Sequence, residues 1–549
     1  MNKKIIIVGG VAGGASAAAR IRRLDEKAQI IMLEKDEYIS FANCGLPYHI
    51  GGAIEQREKL LVQTPASMNS RFNVDVRNYS EAVAVDTAAK TVTIKSADRG
   101  TYEESYDLLL LAPGVEPSPL PMPNSAKEKV FSLRNIPDMD AIKEKITHDG
   151  IKSAIVIGGG FIGLEMTEAL KELGLDVTLI EAMAHVMPPL DLEMAALLGA
   201  ELKKNGVELR LGARITSISE ADGKALVTLE NGEKASAEIV ISAIGVRPAT
   251  SFLADSGIKL GSRGHILVDE TLRTNVENVY AVGDAIEVND FVTGQATAIP
   301  LAGPANKQGR IAADNICGLK HSYDGTQGSS VLKLFSLTAA CTGANERTLK
   351  RLDIPYKAIY SHPFSHATYY PGAAQMSCKL LFAPDGKILG CQIVGEKGVE
   401  KRVDVVAAAL RLGASAVELC ELELCYAPPY SSAKDPVNML GYIAQNILEG
   451  NANIVDYKYM LNRDKQNTYL LDVRTPGEFA RGHVEGAHNI PVDELREHFN
   501  ELPKNQEIIL YCQVGVRAHV AERLLTNSGF RVVNVSGGWK TISLMLEQE

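Results

Sequence analysis

The chain carries eight cysteines (44, 317, 341, 378, 391, 420, 425 and 512) but no C-x-x-C pair. That absence argues against a zinc site and against a dithiol redox motif, and no metal site is expected. No apolar run approaches the ~18–20 residues that a membrane-spanning helix needs. Long basic runs and aromatic–basic interleaving are missing too, and the net charge is −10. Neither nucleic acid nor an anionic membrane is therefore an expected partner. A signal peptide finds no room, because Lys3-Lys4-Ile5-Ile6-Ile7-Val8 is already a strand pattern. The expectation is a cytoplasmic protein whose thiols stay reduced.

What is present is ordinary for a soluble globular chain: 549 residues, 46% apolar and 23% charged. That length suggests roughly three or four domains of about 150 residues. Residues 4–34 read as strand (Ile5–Val8), glycine turn (Gly9-Gly-Val-Ala-Gly-Gly14), helix (Ala15–Leu24) and strand (Ile30–Glu34). Such a turn offers backbone N–H groups and the positive end of a helix dipole to a pyrophosphate. Glu34, 20 residues after Gly14, suits an acceptor for ribose hydroxyls. The middle position of the G-x-G-x-x-G pattern is Val11 here, with Gly10 beside it to supply close approach.

A second unit has all three fingerprint glycines: strand Ile155–Ile157, turn Gly158-Gly-Gly160-Phe-Ile-Gly163, helix Leu164–Leu173, and strand Val177–Glu181. Glu181 would accept from a 2′-hydroxyl and repel a 2′-phosphate, which predicts NADH over NADPH. Two units in one chain suggest one site for FAD and one for a nicotinamide. Tyr106–Gly114 and Val240–Pro248 read as strands ending in turns, and Val279–Ala285 as a strand delivering Asp284 to its C-terminal end, where open α/β sheets bind ligands.

Residues 325–445 differ, with strands (Leu332–Leu337, Lys379–Phe382, Ile388–Val394), a helix (Val399–Leu412) and a hairpin turn at Asp385-Gly386. Two aromatic, proline-bearing loops stand out there, His366–Gly372 and Tyr426–Lys434. Residues 446–465 read as a polar connector. Beyond them lies a small α/β unit with strands Tyr469–Val473, Glu507–Tyr511 and Val532–Val535 and a helix Ala518–Leu525.

Two cysteines carry the chemistry, and the other apolar-flanked ones read as packing residues. Cys512 lies at a strand-to-helix turn, Cys512-Gln-Val-Gly-Val-Arg517. Backbone N–H groups, the helix N-terminus and Arg517 there favour an anion such as a thiolate or persulfide. Cys44 stands alone in Ser40-Phe-Ala-Asn-Cys-Gly-Leu-Pro-Tyr48. A single cysteine cannot close a local redox disulfide, but it can form a mixed disulfide or a sulfenic acid.

The end of the chain resembles a single rhodanese domain, through Asp472–Phe479, Gly482–Pro491, Cys512–Arg517 and Gly537-Gly-Trp539. The resemblance implies that Cys512 accepts a sulfane sulfur, cradled by amides of residues 513–517, with Arg517 in the persulfide loop. Residues 1–445 resemble the single-cysteine branch of the flavoprotein disulfide reductases: CoA-disulfide reductases, NADH peroxidases and NADH oxidases. The carrying motifs are Val8–Gly14, Ser40–Tyr48, Ala112-Pro-Gly114, Ile157–Gly163, Ala243–Pro248, Val282-Gly-Asp284 and Tyr426–Lys434. Peroxidases and many oxidases of this branch place a histidine in the first glycine turn. None is present here, which favours the CoA-disulfide reductase type and its rhodanese-fused form, implicated in CoA-persulfide and polysulfide reduction.

That resemblance implies an α/β fold with two Rossmann-like dinucleotide-binding domains, an α+β dimerisation domain and a C-terminal α/β rhodanese domain. The expected boundaries are 1–115 with 246–322 for FAD, 116–245 for the nicotinamide, 323–445 for dimerisation, 446–465 for the connector and 466–549 for rhodanese. Gly9, Gly13, Gly14, Glu34, Lys35, Ala112, Gly114, Arg134, Asp284, Leu301 and Ala302 are the implied FAD residues. Gly158, Gly160, Ile162, Gly163, Glu181 and Gly245 are those for NADH, with NADPH as the alternative. Coenzyme A contacts fall on Ser16, Arg20, Arg23, Ser40, Asn43, Arg71, Asn306 and Lys434, where the basic residues suit a ligand with three phosphates. Asn306 stands where the family has a histidine. Tyrosines of a partner subunit reach the site in these enzymes, so a homodimer is implied. Tyr426 matches best, then Tyr370, with Tyr369 as its alternative. The implied activity is NADH-dependent reduction of CoA disulfide or CoA persulfide through Cys44, with Cys512 carrying sulfur. The alternative is an NADH oxidase or peroxidase with an accessory rhodanese domain.

Overall fold

Continuous apolar runs make buried parallel strands, and this chain uses them twice in its first unit. The computed structural model describes residues 3–547, which separate into a unit built from residues up to 184 and 205–328 and another from 185–204 and 329 onward. In the first unit, strand Lys4–Val8 pairs in parallel with Gln29–Leu33 on one side and Leu108–Leu111 on the other. Val74–Arg77 and Val279–Ala281 extend the sheet at its two edges. Ile5, Ile6 and Ile7 are all buried, as expected of a sheet covered on both faces. A second five-stranded parallel sheet runs Glu208–Arg210, Asp176–Ile180, Ser153–Ile157, Ile239–Ser242, Val130–Phe131. Three-stranded antiparallel sheets (Ser80–Ser105 and Ile215–Ala237) flank the two.

Helix Ala12–Leu24 lies against helix Ala302–Ile316 so closely that a Cβ on Gly309 would sit 2.4 Å from the carbonyl oxygen of Gly13. Small residues at this crossing bring the first glycine turn and the N-terminus of the second helix to one place. The helix begins at Ala12 rather than Ala15, because Gly13 and Gly14 adopt helical geometry as its first turn.

In the second unit, a five-stranded antiparallel sheet runs Ser330–Leu334, Leu337–Gly343, Ile388–Gly395, Ser377–Phe382, Lys357–Ser361. The single strand expected over Leu332–Leu337 is instead the tip of a hairpin. Phe335 takes a left-handed φ of 52° and turns the chain there, with neither glycine nor proline to announce it. The turn at Asp385-Gly386 is as expected: Gly386 has φ +90° and its N–H donates to Ala383. At the heart of this unit Lys379 is fully buried among Asp191 (2.9 Å), Glu193 (3.3 Å) and Glu346 (2.6 Å).

The last sheet of this unit is parallel, ordered Ile454–Val455, Val532–Val535, Glu507–Tyr511, Thr468–Asp472, His488–Asn489. Its strands alternate strictly: Leu471, Ile508, Leu510 and Cys512 fill one core, and Leu470, Ile509, Tyr511 and Val533 fill the other. Residues 446–465, expected as a connector, lie in regular elements over about half their length. Helix Pro436–Leu448 runs into them, Ile454–Val455 pairs with Val532–Val535 as an edge strand, and helix Tyr457–Leu461 buries Tyr457 and Met460. The polar composition concealed a two-residue strand and two anchoring side chains. Among the described residues no helix is long and apolar enough to cross a membrane, and no cluster of ligating side chains could hold a metal ion.

Candidate active site

The two glycine turns have the same internal construction. Gly9 and Gly158 take left-handed φ angles of 97° and 102°, which glycine adopts without steric cost. A Cβ on Gly9 would lie 2.0 Å from the Ala112 carbonyl oxygen, and one on Gly158 would lie 2.3 Å from that of Ala243. A Cβ on Gly14 or Gly163 would collide with the carbonyl of Gly9 or Gly158 at 1.9 and 1.8 Å. These four glycines allow strand, turn and helix to close on one another. The acidic residues repeat the pattern. Glu34 accepts from the Gly10 N–H at 3.0 Å and the Asp36 N–H at 3.2 Å. Glu181 accepts from Gly159 at 2.6 Å and Met183 at 2.7 Å. Each carboxylate thus ties its turn to the end of the next strand and, with about four lone-pair sites, retains capacity for ribose hydroxyls. Burial pushes the Glu34 carboxyl up, against the lowering effect of its two N–H donors.

Both turns fit a dinucleotide. A Cβ on Gly160 or Gly245 would meet nothing within 4 Å, so the space beside them is open for a ligand. At the first unit, Asp284 lies on the 3-10 turn Gly283–Ala285 after its strand. Burial raises its carboxyl to about 6, opposed by the Arg134 charge. Arg134 also approaches Gly114, at 3.4 Å from the position of a Cβ there. Helix Ala302–Ile316 starts after Leu301 with no side chain capping it, so its first N–H groups are available to an anion. Lys35 and Ile162 are exposed at the rims of the two turns.

Cys44 sits on the one-turn helix Asn43–Gly45, just ahead of helix Leu46–Ile50. Its N–H donates to the Asn43 side-chain oxygen at 3.1 Å. The thiol has an open face, yet the protein crowds its other sides. Burial first, then the charges of Glu165 and Asp284, push its pKa up. Ser40 takes a left-handed φ of 43° while its N–H donates to Gly10 and its carbonyl accepts from Val62 and Gln63. A non-glycine residue held there costs on the order of 1 kcal/mol, and here the hydrogen bonds on both sides fix it between the turn and Cys44.

The residues expected to hold coenzyme A divide. Ser16, Arg20, Arg23, Ser40, Asn43, Arg71 and Asn306 are in the first unit, whereas Lys434 is exposed in the second. The Ser16 hydroxyl donates to the Asn306 side-chain oxygen, and the Asn306 amide donates to the Ala302 carbonyl at 2.8 Å. Arg20 pairs with Asp314 at 2.6 Å, while Arg23 and Arg71 are exposed. Arg22, between them, is buried and spent on carbonyls, among them those of Phe72 and Ala28. Tyr426 exchanges a hydrogen bond with Tyr369 at 2.8 Å, and Tyr370 instead packs edge-on against His366. At the final sheet the Gly515 N–H donates to the Cys512 sulfur at 3.1 Å. Arg517 faces that sulfur too, and forks onto Glu478 at 2.7 and 2.8 Å. The fork holds the Glu478 carboxyl down at about 2.

Sequence reasoning missed one pairing: the Tyr48 hydroxyl donates to Glu165 at 3.3 Å. The available signals were an acid two residues past Gly163 and a tyrosine one helical turn past Cys44. Nothing linked them across the 117 residues that separate the two.

Comparison with known proteins matches residues 3–309 to the pyridine nucleotide-disulphide oxidoreductases, 329–436 to the dimerisation domain of the same family and 455–544 to a rhodanese-like domain. The coenzyme A disulfide reductase of Staphylococcus epidermidis is 35% identical over 445 residues, 80% of this chain and 100% of that one. That of Staphylococcus haemolyticus is 36% identical over 448 residues, 81% of this chain and 100% of that one. Among solved structures, reduced Bacillus anthracis CoADR-RHD superposes with a TM-score of 0.98 at 48% identity, covering 100% of this chain and 99% of that one. An NAD-dependent persulfide reductase from A. fulgidus gives 0.92 at 35% identity, covering 98% and 99%. The NADH-bound water-forming NADH oxidase from Lactobacillus brevis gives 0.79 at 26% identity, covering 82% and 100%. With its two glycine turns, its lone Cys44 and the N–H-lined loop at Cys512, the chain belongs to the pyridine nucleotide-disulphide oxidoreductases, as a member that carries the family's dimerisation domain and a rhodanese-like domain.

Proposed function

We propose that the protein is an NADH-dependent reductase of CoA disulfide and CoA persulfide, with Cys44 as its redox thiol and Cys512 as its carrier of sulfane sulfur. The observation that carries the reading is a single open-faced cysteine beside the first glycine turn, in a chain that also holds a buried cysteine in an N–H-lined loop. The first turn, Glu34, Arg134 and Asp284 would hold FAD, which would supply a two-electron relay, and Gly160, Gly163 and Glu181 would hold NADH.

The Cys44 thiolate attacks one sulfur of CoA–S–S–CoA. A mixed disulfide forms between Cys44 and CoA, and one CoA thiolate leaves and takes a proton. Two electrons then cleave that mixed disulfide, releasing the second CoA thiolate and restoring the Cys44 thiolate. The sum is NADH, a proton and CoA disulfide giving NAD⁺ and two CoASH. With CoA–S–SH the products are NAD⁺, CoASH and H₂S. The Cys512 thiolate would take the outer sulfur of a persulfide or polysulfide donor, whose remaining thiolate leaves, and the Gly515 N–H and Arg517 would favour the terminal anion so formed; transfer to a CoA thiolate gives CoA–S–S⁻ and frees Cys512. Arg20, Arg23, Arg71 and Lys434 offer charge to the phosphates of the ligand. Asn43 orders the backbone at Cys44. The Tyr369–Tyr426 pair is the proposed proton donor to the leaving sulfur, supplied across a homodimer through the dimerisation domain. The expected location is the cytoplasm, in keeping with eight free cysteines.

Cys44→Ser should lower NADH oxidation with CoA disulfide and with CoA persulfide at least ~10³-fold, and Cys512→Ser should leave CoA disulfide reduction intact while stopping sulfur transfer. Turnover by Cys44→Ser at the parent rate, or oxygen outrunning both CoA substrates as acceptor, would defeat the reading.

A further inference from the structure

Glu165 has no part in the nucleotide contacts described above. It lies on helix Phe161–Glu172, which opens the second nucleotide unit, and it accepts the hydrogen bond of Tyr48, which lies on helix Leu46–Ile50 directly after Cys44. The two helices meet at close range: a Cβ on Gly51 would sit 3.0 Å from the Ala169 Cα. The nicotinamide-side helix therefore delivers a half-buried carboxyl to the surroundings of the redox thiol. We propose that Glu165 is a positioning residue that shares one negative charge with Cys44, with the Tyr48 hydroxyl deciding how readily Glu165 carries it.

The physical reason is that two anions in a partly buried neighbourhood repel, so each disfavours ionisation of the other. Burial raises the Glu165 carboxyl to about 7, with the Tyr48 hydrogen bond lowering it and the Glu168 charge raising it. Burial and then the Glu165 charge raise the Cys44 thiol, and burial and the same charge raise the Tyr48 phenol. The other charged groups around the pair are Asp284, which also opposes a thiolate, and Glu168 on the helix of Glu165. On the far side of Leu46–Ile50, Lys143 is occupied with the ring and carbonyl of His49, at 3.0 and 3.1 Å. Among the described residues no cation enters the balance at either Cys44 or Glu165. The exchange is Cys44–SH with Glu165–COO⁻ becoming Cys44–S⁻ with Glu165–COOH. One proton moves, no electron does, and the net charge stays at −1. A charged Glu165 therefore holds Cys44 as the thiol, and the thiolate forms most readily where Glu165 keeps its proton.

The inference rests on Cys44 being the redox thiol, and thiol reactivity tests it apart from turnover. The holoenzyme, reduced with dithiothreitol and then freed of it, is alkylated with iodoacetamide, and modification of Cys44 is followed by peptide mass analysis across neutral and alkaline pH. Glu165→Gln should lower the midpoint of the pH profile, so that alkylation near neutral pH quickens about 3–10-fold. Glu165→Asp, which keeps the charge, should retain the parent midpoint. Tyr48→Phe weakens ionisation of Glu165, so its rate should exceed the parent's near neutrality and rejoin it in alkali. An unmoved midpoint in Glu165→Gln overturns the proposal, as does an equal shift in Glu168→Gln, which would assign the effect to the summed charge of the helix. Cys44→Ser turning over normally would defeat the functional reading, whereas an unmoved midpoint with Cys44 still essential defeats only this inference.

Discussion

The two glycine turns are near copies in their covalent logic and opposites in what surrounds them. Both close through a left-handed glycine against a carbonyl, and both clamp turn to strand with a glutamate that accepts two N–H groups. They part at the middle position, Val11 in the first and Gly160 in the second. They part again along the following helix. The first carries Ser16, Arg20 and Arg23 and packs through Gly13 on Gly309; the second carries Glu165, Glu168 and Glu172 and packs through Ala169 on Gly51. One motif thus serves two electrostatic ends. On the proposed reading, the basic helix would present a surface to a phosphate-rich thiol ligand, and the acidic helix would bias ionisation around the Cys44 sulfur. What a glycine fingerprint encodes is the closure of the turn; the outward side chains decide what the turn is for.

The comparison breaks most severely at its shared part. Gly14→Ala and Gly163→Ala each drive a Cβ into a carbonyl that cannot recede, and each should cost about 3 kcal/mol or more. The first should emerge without flavin absorbance. The second should keep flavin while its bleaching by NADH is lost at least ~10²-fold, and equal flavin loss in both would show that the two turns do not fold independently. A smaller and more selective effect is expected where they differ. Gly160→Ala places a methyl in open space on an extended backbone (φ −80°, ψ −169°), so stability should change by less than ~0.5 kcal/mol. The KM for NADH should nevertheless rise about tenfold, the outcome expected if that space receives the pyrophosphate. An unchanged KM would mean the open space is not the ligand's.

The electrostatic contrast has a pH signature. The Asp284 carboxyl, raised to about 6 by burial, holds a proton in the folded protein at pH values where the unfolded chain has released it. Its contribution is present below the ordinary carboxylate pKa and lost as pH rises through about 6; Glu165 adds the same sign up to about 7. The thermal midpoint of the flavin-free protein should therefore fall as pH climbs from ~4 to ~7, and Asp284→Asn should flatten the lower part of that fall by on the order of 2 kcal/mol. A midpoint that rises through this window in the parent and the variant alike would show that neither acid is protonated on folding.

Most of this was legible because close packing leaves strict marks. The Gly9–Gly14 and Gly158–Gly163 turns, the apolar strands on either side and the Cys512 loop declare themselves through residues that no other geometry accommodates. The hairpin at Phe335 did not, since an aromatic residue at φ 52° is set by its neighbours' pairing rather than by its own preference. The Tyr48–Glu165 pair was hidden for a related reason: each residue is unremarkable in its own helix, and only the crossing at Gly51 and Ala169 makes them partners. Tyr369 rather than Tyr370 meeting Tyr426 is of the same kind, a matter of which of two adjacent side chains a loop turns toward the other.

The small edge strand Ile454–Val455 has a consequence for how the chain can be divided. It pairs with Val532–Val535 and covers one side of the last sheet. A fragment beginning at residue 466 would leave that side as a row of unpaired N–H and C=O groups, flat and flanked by valines, which is a template for strands of other copies. Begun at residue 452 instead, the same fragment brings its own guard. Solubility of the two fragments at equal concentration separates these outcomes, and places the last domain's beginning at the point where its edge is sealed.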